Sequence, residues 1–425
     1  MSKLAVNGGE RAVPEGMIRH WPPIDETDEK LVMDALHSTR HTRGDHSIAF
    51  EQEFADWNGN RHAVLTNSGT AALHMGLVGC DVGAGDHVLV TAYSWSSSAT
   101  CILHHNAIPV FVDIDFDTIN MDVDKIEAAL TPRTKAMVVV HLHGLAVNMD
   151  RIMEIARKHG LKVVEDACQA HGATFKGRKV GTFGDAAAFS LNQNKCLSAG
   201  EGGVFVANDD NVAARAKQLW SFGETRTPEQ SRDYHAYALG WMYRSNELTA
   251  AYARAQLAKY PRYFEALRAN GNLLHEKLQG VRNLIRPTEP PGHEHNWYNY
   301  NLRLDMDGIG WDGEPGVLRD AVAKALGAEG VPASIWQRFI LPEMTVFQAR
   351  NAYGGGFPWS IPGADEGVDY SPENFPVARR HCDSYIALVQ ALRAPNGPDV
   401  VEKIAEGITK VFENIDQIDP AKILS

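Results

Sequence analysis

Three short segments carry residue types whose spacing could support chemistry. The first, Asn67-Ser68-Gly69-Thr70, follows a predicted strand and opens a predicted helix. Free N–H groups and the dipole at a helix N-terminus favour an anion, Gly69 permits close backbone approach, and Thr70 adds a hydroxyl donor. A helix that is capped by Ser68 and binds no ligand gives the same pattern, so this segment alone leaves both interpretations open.

The second segment places Asp166 at the carboxyl end of a predicted buried strand. Ligands bind at this edge in open α/β sheets, and a carboxylate there is costly unless it is paired. A protonated pyridine nitrogen would be a suitable partner, and the pairing would keep such a ring an electron sink. An aspartate that caps the next helix is the alternative.

The third segment holds Lys195, five residues after the strand-ending Ser190 and just before the turn Gly200-Glu201-Gly202-Gly203. A lysine beside a cofactor in a site with little water can act as a nucleophile. A lone lysine is usually a solvated surface charge. The order of the three segments, an anion-binding turn, a strand-end acid and a loop lysine, favours the chemical interpretation.

Seven short apolar runs alternate with helical segments and would position these residues. Runs that are apolar throughout suit strands covered on both faces, and alternation with helices predicts βαβ units in a mostly parallel sheet. The predicted strands are His62–Thr66, His87–Thr91, Ile108–Asp113, Ala136–His141, Leu161–Asp166, Ala186–Ser190 and Gly203–Ala207.

The remaining pattern predicts two domains, residues 1–250 with an N-terminal lead-in and residues 251–425. Residues 1–60 are predicted to be irregular apart from one helix, and the Gly- and Pro-rich residues 350–376 are predicted to form a long loop. The other predicted elements are helices at Asp25–Ser38, Thr70–Leu77, Val123–Leu130, Met149–His159, Asn211–Trp220, Asn246–Leu278, Leu318–Leu326 and Val400–Ile415, and a strand at Trp297–Leu304.

Composition excludes several classes of protein. The chain has 425 residues, 44% of them hydrophobic, and a net charge of -12, which argues against nucleic acid or an anionic membrane as a partner. The five cysteines include no CxxC pair and show no metal-ligand spacing, so we expect reduced thiols and no metal site. Neither a signal peptide nor a membrane span is evident, and we expect a cytoplasmic protein.

The combined segments resemble the DegT/StrS-type sugar aminotransferase family. The resemblance rests on Asp166, the following Gln169-Ala170-His171-Gly172, and the block from Ser190 through Lys195 to Gly203. Members are fold-type I enzymes dependent on pyridoxal 5'-phosphate (PLP) that aminate keto sugars and keto cyclitols. The resemblance implies an aspartate-aminotransferase-like α/β fold, with a mostly parallel seven-stranded sheet flanked by helices and a smaller α+β C-terminal domain. It also implies a homodimer with active sites near the interface.

Site roles follow from this resemblance position by position. Lys195 would carry PLP as a Schiff base, and Asp166 would pair with the pyridinium nitrogen. Further cofactor contacts would come from Gln169 on the ring-hydroxyl side, from Trp95 on the ring face, and on the phosphate side from Ser68, Gly69, Thr70 and Ser190. For Trp95 a position in the core is the alternative.

Two departures from the family pattern concern the partner subunit and the substrate. Met242 stands where members often have an asparagine that reaches the phosphate of the neighbouring subunit, so that contact is in doubt. Asn192-Gln193-Asn194 resembles members that act on free keto cyclitols and the related aminohydroxybenzoate synthases. Members acting on nucleotide sugars commonly have a His-Pro-x-Lys run instead.

The resemblance implies transfer of an amino group from glutamine or glutamate to a ketone on a polyhydroxylated ring, in aminocyclitol or amino-sugar biosynthesis, with the cofactor alternating between PLP and its amino form PMP. Candidate contacts to the acceptor are Gln193, Asn192, His143 and Tyr298. The alternatives are a nucleotide-linked keto-sugar aminotransferase, an aminohydroxybenzoate-synthase-like enzyme, a PLP-dependent sugar dehydratase and a non-catalytic homologue. An oxidoreductase of the Rossmann type is disfavoured because no GxGxxG follows the first strand.

Overall fold

A computed structural model describes residues 3–225 and 234–425. The helices are Glu26–His37 (α1), Asp45–Asn58 (α2), Gly69–Gly79 (α3), Ser97–Leu103 (α4), Met149–His159 (α5), Asp210–Trp220 (α6), Glu247–Lys277 (α7), Met306–Ile309 (α8), Pro315–Ala328 (α9), Thr345–Gln348 (α10), Pro376–Ser384 (α11), Pro398–Glu413 (α12) and Pro420–Leu424 (α13). The strands are His62–Thr66 (β1), His87–Thr91 (β2), Ile108–Val112 (β3), Thr134–Val140 (β4), Lys162–Asp166 (β5), Thr174–Phe175 (β6), Arg178–Lys179 (β7), Ala186–Ser190 (β8), Gly203–Ala207 (β9), Leu284–Ile285 (β10), His293–Glu294 (β11), Asn299–Leu304 (β12), Ala333–Ser334 (β13) and Tyr385–Val389 (β14).

The seven predicted strands form one sheet, in the order β1-β9-β8-β5-β4-β2-β3. Strand β9 pairs antiparallel with both of its neighbours, and the other four pairings are parallel, so β9 runs against the remaining six strands. Strands β2, β3 and β8 are buried along their whole length, as expected for a sheet covered by helices on both faces. The predicted α/β architecture is confirmed.

This topology gathers the chemical residues at one edge. Asp166 is the last residue of β5, and Ser190 is the last residue of β8. Helix α3 begins three residues after β1, which runs in the same direction as β5 and β8. The carboxyl ends of the three strands therefore face the same space.

A second, four-stranded sheet lies in the C-terminal part, in the antiparallel order β10-β12-β14-β13. Helices α9 and α11 pack against it, and the 31-residue α7 contacts α1 and α2 as well as α12. The predicted division at residue 250 falls inside α7 and stays a prediction. Within the described residues, no helix combines the length and apolar character that crossing a membrane requires.

Two predictions of local structure are wrong. Residues 1–60 contain a second helix, α2, which buries Phe50 and Phe54 one turn apart against the core. The predicted helix Val123–Leu130 contains only a 3₁₀ turn at Glu127–Ala129. The other predicted helices form, with ends shifted by up to three residues.

Helix α2 has a cap that comes from a distant part of the chain. Its N-cap residue, Gly44, has no side chain to cap with, and the buried carboxylate of Glu247 takes over this role. Glu247 accepts hydrogen bonds from the backbone N–H groups of Gly44 at 2.6 Å, His46 at 2.8 Å and Ser47 at 3.0 Å. Burial raises the pKa of Glu247, but these donors and the Ser47 hydroxyl outweigh it and hold the pKa below its usual value.

Removing the charge of this cap should destabilise the protein in a pH-dependent way. Because the folded-state pKa of Glu247 is lowered, the contribution of its charge is present above the unfolded pKa of about 4.3 and is lost as the pH falls through the folded value. We expect Glu247→Gln to reduce the free energy of unfolding by about 1–2 kcal/mol at pH 7, and by much less near pH 3. Denaturant titrations at both pH values measure this difference; an equal loss at both would contradict the assigned role.

Candidate active site

A cavity of about 310 Å³ opens at the carboxyl edge of the main sheet, where segments of the C-terminal part meet it. Its lining includes most of the residues that the sequence singled out. The residues that line it are Ser68, Gly69, Thr70, Ser94, Trp95, Ser97, Ser98, Val140, Asp166, Cys168, Gln169, Ser190, Asn192, Asn194, Lys195, Glu201, Tyr298 and Trp336.

Lys195 projects into this cavity from the loop between β8 and β9. Its Nζ lies 3.4 Å from Tyr298 Oη and 4.8 Å from the centre of the Tyr298 ring. Its backbone is fixed at both ends, since its N–H donates to Asn192 O at 2.8 Å and its carbonyl accepts from Trp21 Nε1 at 3.0 Å. The loop therefore holds the lysine amine within hydrogen-bonding distance of the Tyr298 hydroxyl.

Asp166 lies at the bottom of the cavity and is 5% exposed. Its Oδ2 accepts from Ser98 Oγ at 2.7 Å and its Oδ1 from the Cys168 N–H at 3.2 Å. Ser98 has one proton and directs it to the carboxylate, so Ser94 is the donor in the 2.8 Å contact between the two serines. Within residues 3–225 and 234–425, no basic side chain forms an ion pair with Asp166. A buried carboxylate in this state fits a cationic ring nitrogen.

The start of α3 fits a phosphate group. Ser68 caps the helix by accepting from the Ala71 N–H at 3.1 Å, and the N–H groups of Gly69 and Thr70 belong to the first turn, where no intrahelical acceptor exists. A Cβ at Gly69 would lie 2.9 Å from both Cys168 Sγ and Ser190 Cβ. Glycine is therefore required for α3 to approach the ends of β5 and β8 this closely.

Gln169 has an orientation set by a neighbouring loop. Its Oε1 accepts from the backbone N–H of His143 at 2.8 Å. His143 adopts a positive φ of 56° in the turn that makes this contact. With the carbonyl end occupied, the NH₂ end of Gln169 is the one that can meet a ligand oxygen in the cavity, as the predicted contact to a ring hydroxyl requires.

Trp95 stands at the mouth of the cavity and is 52% exposed, so it is not the core aromatic that the alternative interpretation proposed. Its ring centre lies 6.1 Å from that of Trp336, with 35° between the planes. An exposed aromatic face at this position can cover a flat ligand ring.

The structure places two of the predicted substrate contacts outside the cavity lining. His143 is buried behind Gln169, and its Nδ1 accepts from Asn299 Nδ2 at 3.2 Å. Burial, with the charge of Lys195 adding to it, lowers the pKa of His143 to about 3, so the ring is neutral at physiological pH. Gln193 is exposed on the outer side of its loop. Met242 is also outside the cavity and is 50% exposed.

Several lining residues were given no site role in the sequence analysis. Ser94 and Ser98 follow β2 at the same sheet edge as Asp166, so their position relative to a strand end was an available signal. Asn194 and Glu201 lie within the Lys195 segment itself. Trp336 comes from the distant C-terminal part, and no local pattern marks it.

Comparisons with known proteins agree with this geometry. A model of the DegT/DnrJ/EryC1/StrS aminotransferase family matches residues 22–360. L-glutamine:scyllo-inosose aminotransferase of Streptomyces griseus is 32% identical over 433 residues, covering 98% of this chain and 99% of that protein. GDP-perosamine synthase of Caulobacter vibrioides is 36% identical over 312 residues, covering 73% of this chain and 81% of that protein. Among solved structures, 3-amino-5-hydroxybenzoic acid synthase matches with a TM-score of 0.81 and 28% identity, covering 94% of this chain and 98% of that chain.

The relatives that match over 94% or more of the chain span both sheets, and the structural relatives are PLP-dependent aminotransferases. The polar groups that line the cavity suit that cofactor. The chain therefore belongs to the DegT/DnrJ/EryC1/StrS aminotransferase family.

Proposed function

We propose that this enzyme transfers the amino group of L-glutamine to the ketone of a keto cyclitol, with Lys195 as the residue that binds PLP. The observation that carries the proposal is the meeting, in one cavity, of the Lys195 amine, the Asp166 carboxylate, for which the described residues supply no ion-pair partner, and the start of α3. These three groups match the three ends of the cofactor: its aldehyde, its ring nitrogen and its phosphate.

Each residue has a task that its contacts support. The N–H groups of Gly69 and Thr70 would bind the phosphate, and Asp166, held by Ser98, would face the ring nitrogen. PLP, when bound, supplies an electron-withdrawing ring that stabilises negative charge at the substrate carbon.

Lys195 would perform the proton transfers. Once the donor amine has taken its place, the free Nζ amine removes a proton from the substrate carbon as a base and later returns one as an acid. Tyr298 Oη, at 3.4 Å from Nζ, is placed to hydrogen-bond the amine while it changes its protonation state. The second half of the cycle runs the same steps in reverse on the ketone.

The charges that line the cavity favour a neutral acceptor. Among the described lining residues, Lys195 is the one with a positive side chain, whereas Asp166 and Glu201 are acidic. A nucleotide diphosphate is normally bound by arginine or lysine, and ring hydroxyls by amides and carboxylates such as those of Asn192, Asn194 and Glu201. The inosose aminotransferase relative also aligns over 98% of the chain, against 73% for the perosamine synthase. A nucleotide-linked keto sugar remains the second candidate.

The lysine and aspartate assignments can be tested by absorption spectroscopy of the PLP-loaded protein. We expect an absorption band of lysine-bound cofactor that L-glutamine removes in the wild type, and no such band in Lys195→Ala. Asp166→Asn should retain the band but lower the rate of its loss by about 100-fold, because the ring nitrogen then lacks an anionic partner. Gln193→Ala, on the outer side of the same loop, is the matched control and should behave as the wild type. An unchanged band in Lys195→Ala would refute the assignment.

Acceptor choice can be tested on the enzyme first converted to its amino form with glutamine. We expect scyllo-inosose to restore the original band with kcat/KM about 100-fold above that of a UDP-linked keto sugar, since Lys195 is the one cation that the described lining residues offer the diphosphate. UDP alone serves as the control and should not inhibit at millimolar concentration. Competitive inhibition by micromolar UDP would favour the nucleotide-linked acceptor instead.

A further inference from the structure

A fully buried arginine lies directly behind the lysine of the active site. Arg393 follows β14 in the C-terminal part and is 1% exposed, among the largest side chains that the fold buries completely. It does not line the cavity, and neither the proposed reaction nor the family resemblance assigns it a task.

The guanidinium joins the two residues whose side chains meet in the cavity. Its Nη1 donates to the backbone carbonyl of Lys195 and its Nη2 to that of Tyr298, each at 3.3 Å. Its Cζ also lies over two aromatic rings, at 5.3 Å from the centre of the Tyr298 ring and 5.5 Å from the centre of the Trp21 ring. One planar group therefore fixes the distance between two chain segments that are 103 residues apart.

The charge of Arg393 makes this arrangement unusual. In residues 3–225 and 234–425, Arg393 forms no ion pair with a carboxylate, and its Nε has no hydrogen-bond partner. Burying a guanidinium without an anion is costly, and a neutral side chain that only filled the space would avoid that cost. Three titratable side chains near it are neutral: burial raises the pKa values of Cys196 and Tyr260, and it lowers the pKa of His171 to about 3, helped by the charges of Lys195 and Arg393.

The backbone of the Lys195 loop needs such an external support. Residues 191–202 form turns without helix or strand, and within the loop the Lys195 N–H donates to Asn192 O, whereas the Lys195 carbonyl accepts from groups outside the loop. Trp21 donates to the Lys195 carbonyl as well. Arg393 bonds to both carbonyls, and the 3.4 Å separation of Nζ and Oη depends on both backbones.

We propose that Arg393 is a positioning residue: its planar fork holds the backbones of Lys195 and Tyr298 so that the lysine amine faces the cofactor aldehyde with the tyrosine hydroxyl beside it. This inference rests on the proposed role of Lys195. It predicts that substitutions at Arg393 alter the rate at which Lys195 captures the cofactor, before any substrate is present.

The test measures that capture directly. Protein freed of cofactor is mixed with PLP, reduced with borohydride at timed intervals, and analysed by mass spectrometry for attachment at Lys195. We expect Arg393→Met to slow attachment about tenfold or more, and to lower kcat with glutamine by a similar factor while KM changes by less than about threefold. Arg393→Lys keeps the positive charge but loses the planar guanidinium that bonds to both carbonyls. We therefore expect it to recover only part of the attachment rate.

Arg303 supplies a matched control. It is likewise fully buried and its Nη1 donates to a backbone carbonyl, that of Phe116, away from the cavity. Arg303→Met should lower the unfolding midpoint but leave the attachment rate within about twofold of the wild type.

Two outcomes would overturn the proposal: an attachment rate in Arg393→Met equal to that of the wild type, or an equal slowing in Arg303→Met, which would indicate general loss of packing. If Arg393→Met does not fold, Arg393→Gln and Arg393→Lys must still slow attachment by about fivefold for the proposal to stand. If wild-type protein does not attach PLP at Lys195, the proposed function fails as well; if only the Arg393 variants behave as the wild type, this inference alone fails.

Discussion

Two neighbouring carboxylates on β5 point to opposite faces of the main sheet, and the geometry of the site depends on keeping them apart. Glu165 is fully buried on one face, where it accepts from His141 Nε2 at 2.9 Å and from three backbone N–H groups of residues 181–184 at 2.7 Å each. Asp166 faces the cavity. A slip of one residue would exchange them, since side chains alternate along a strand. The donors around Glu165 thus lock the register that presents Asp166 to the cavity.

The antiparallel strand β9 also constrains the geometry at the start of α3, where the phosphate is proposed to bind. Gly203 pairs with Thr66 of β1 on one side and with Ser190 of β8 on the other. A Cβ there would lie 2.4 Å from the carbonyl group of Ser68. Glycine at this point lets three chain segments converge under the start of α3, which explains in physical terms why a glycine-rich turn follows Lys195.

A structural feature could be predicted from the sequence where the contacts that determine it are local. All seven strands of the main sheet and helix α5 could be predicted, because apolar runs and periodicity within each segment determine them. Helix α2 was missed because its cap, Glu247, lies some 200 residues further along the chain. The same distinction applies to the residues at the site. Lys195 and Asp166 lie in segments that can be recognised from the sequence. Trp336 and Arg393 come to the site only through tertiary packing.

Lys195 shows how a local constraint on residue type and long-range constraints on position act on one residue. In the proposed function its side chain would form a Schiff base, which requires a primary amine, so the reaction would constrain the residue type. Its position is constrained by groups from opposite ends of the chain, Trp21 near the start and Arg393 near the end, which both donate to its carbonyl oxygen. A backbone carbonyl is present whatever the residue, and several donors could occupy its surroundings. The proposed reaction therefore allows one residue type at position 195. Other side chains could hold its backbone, provided that their donors reach the same carbonyl oxygen.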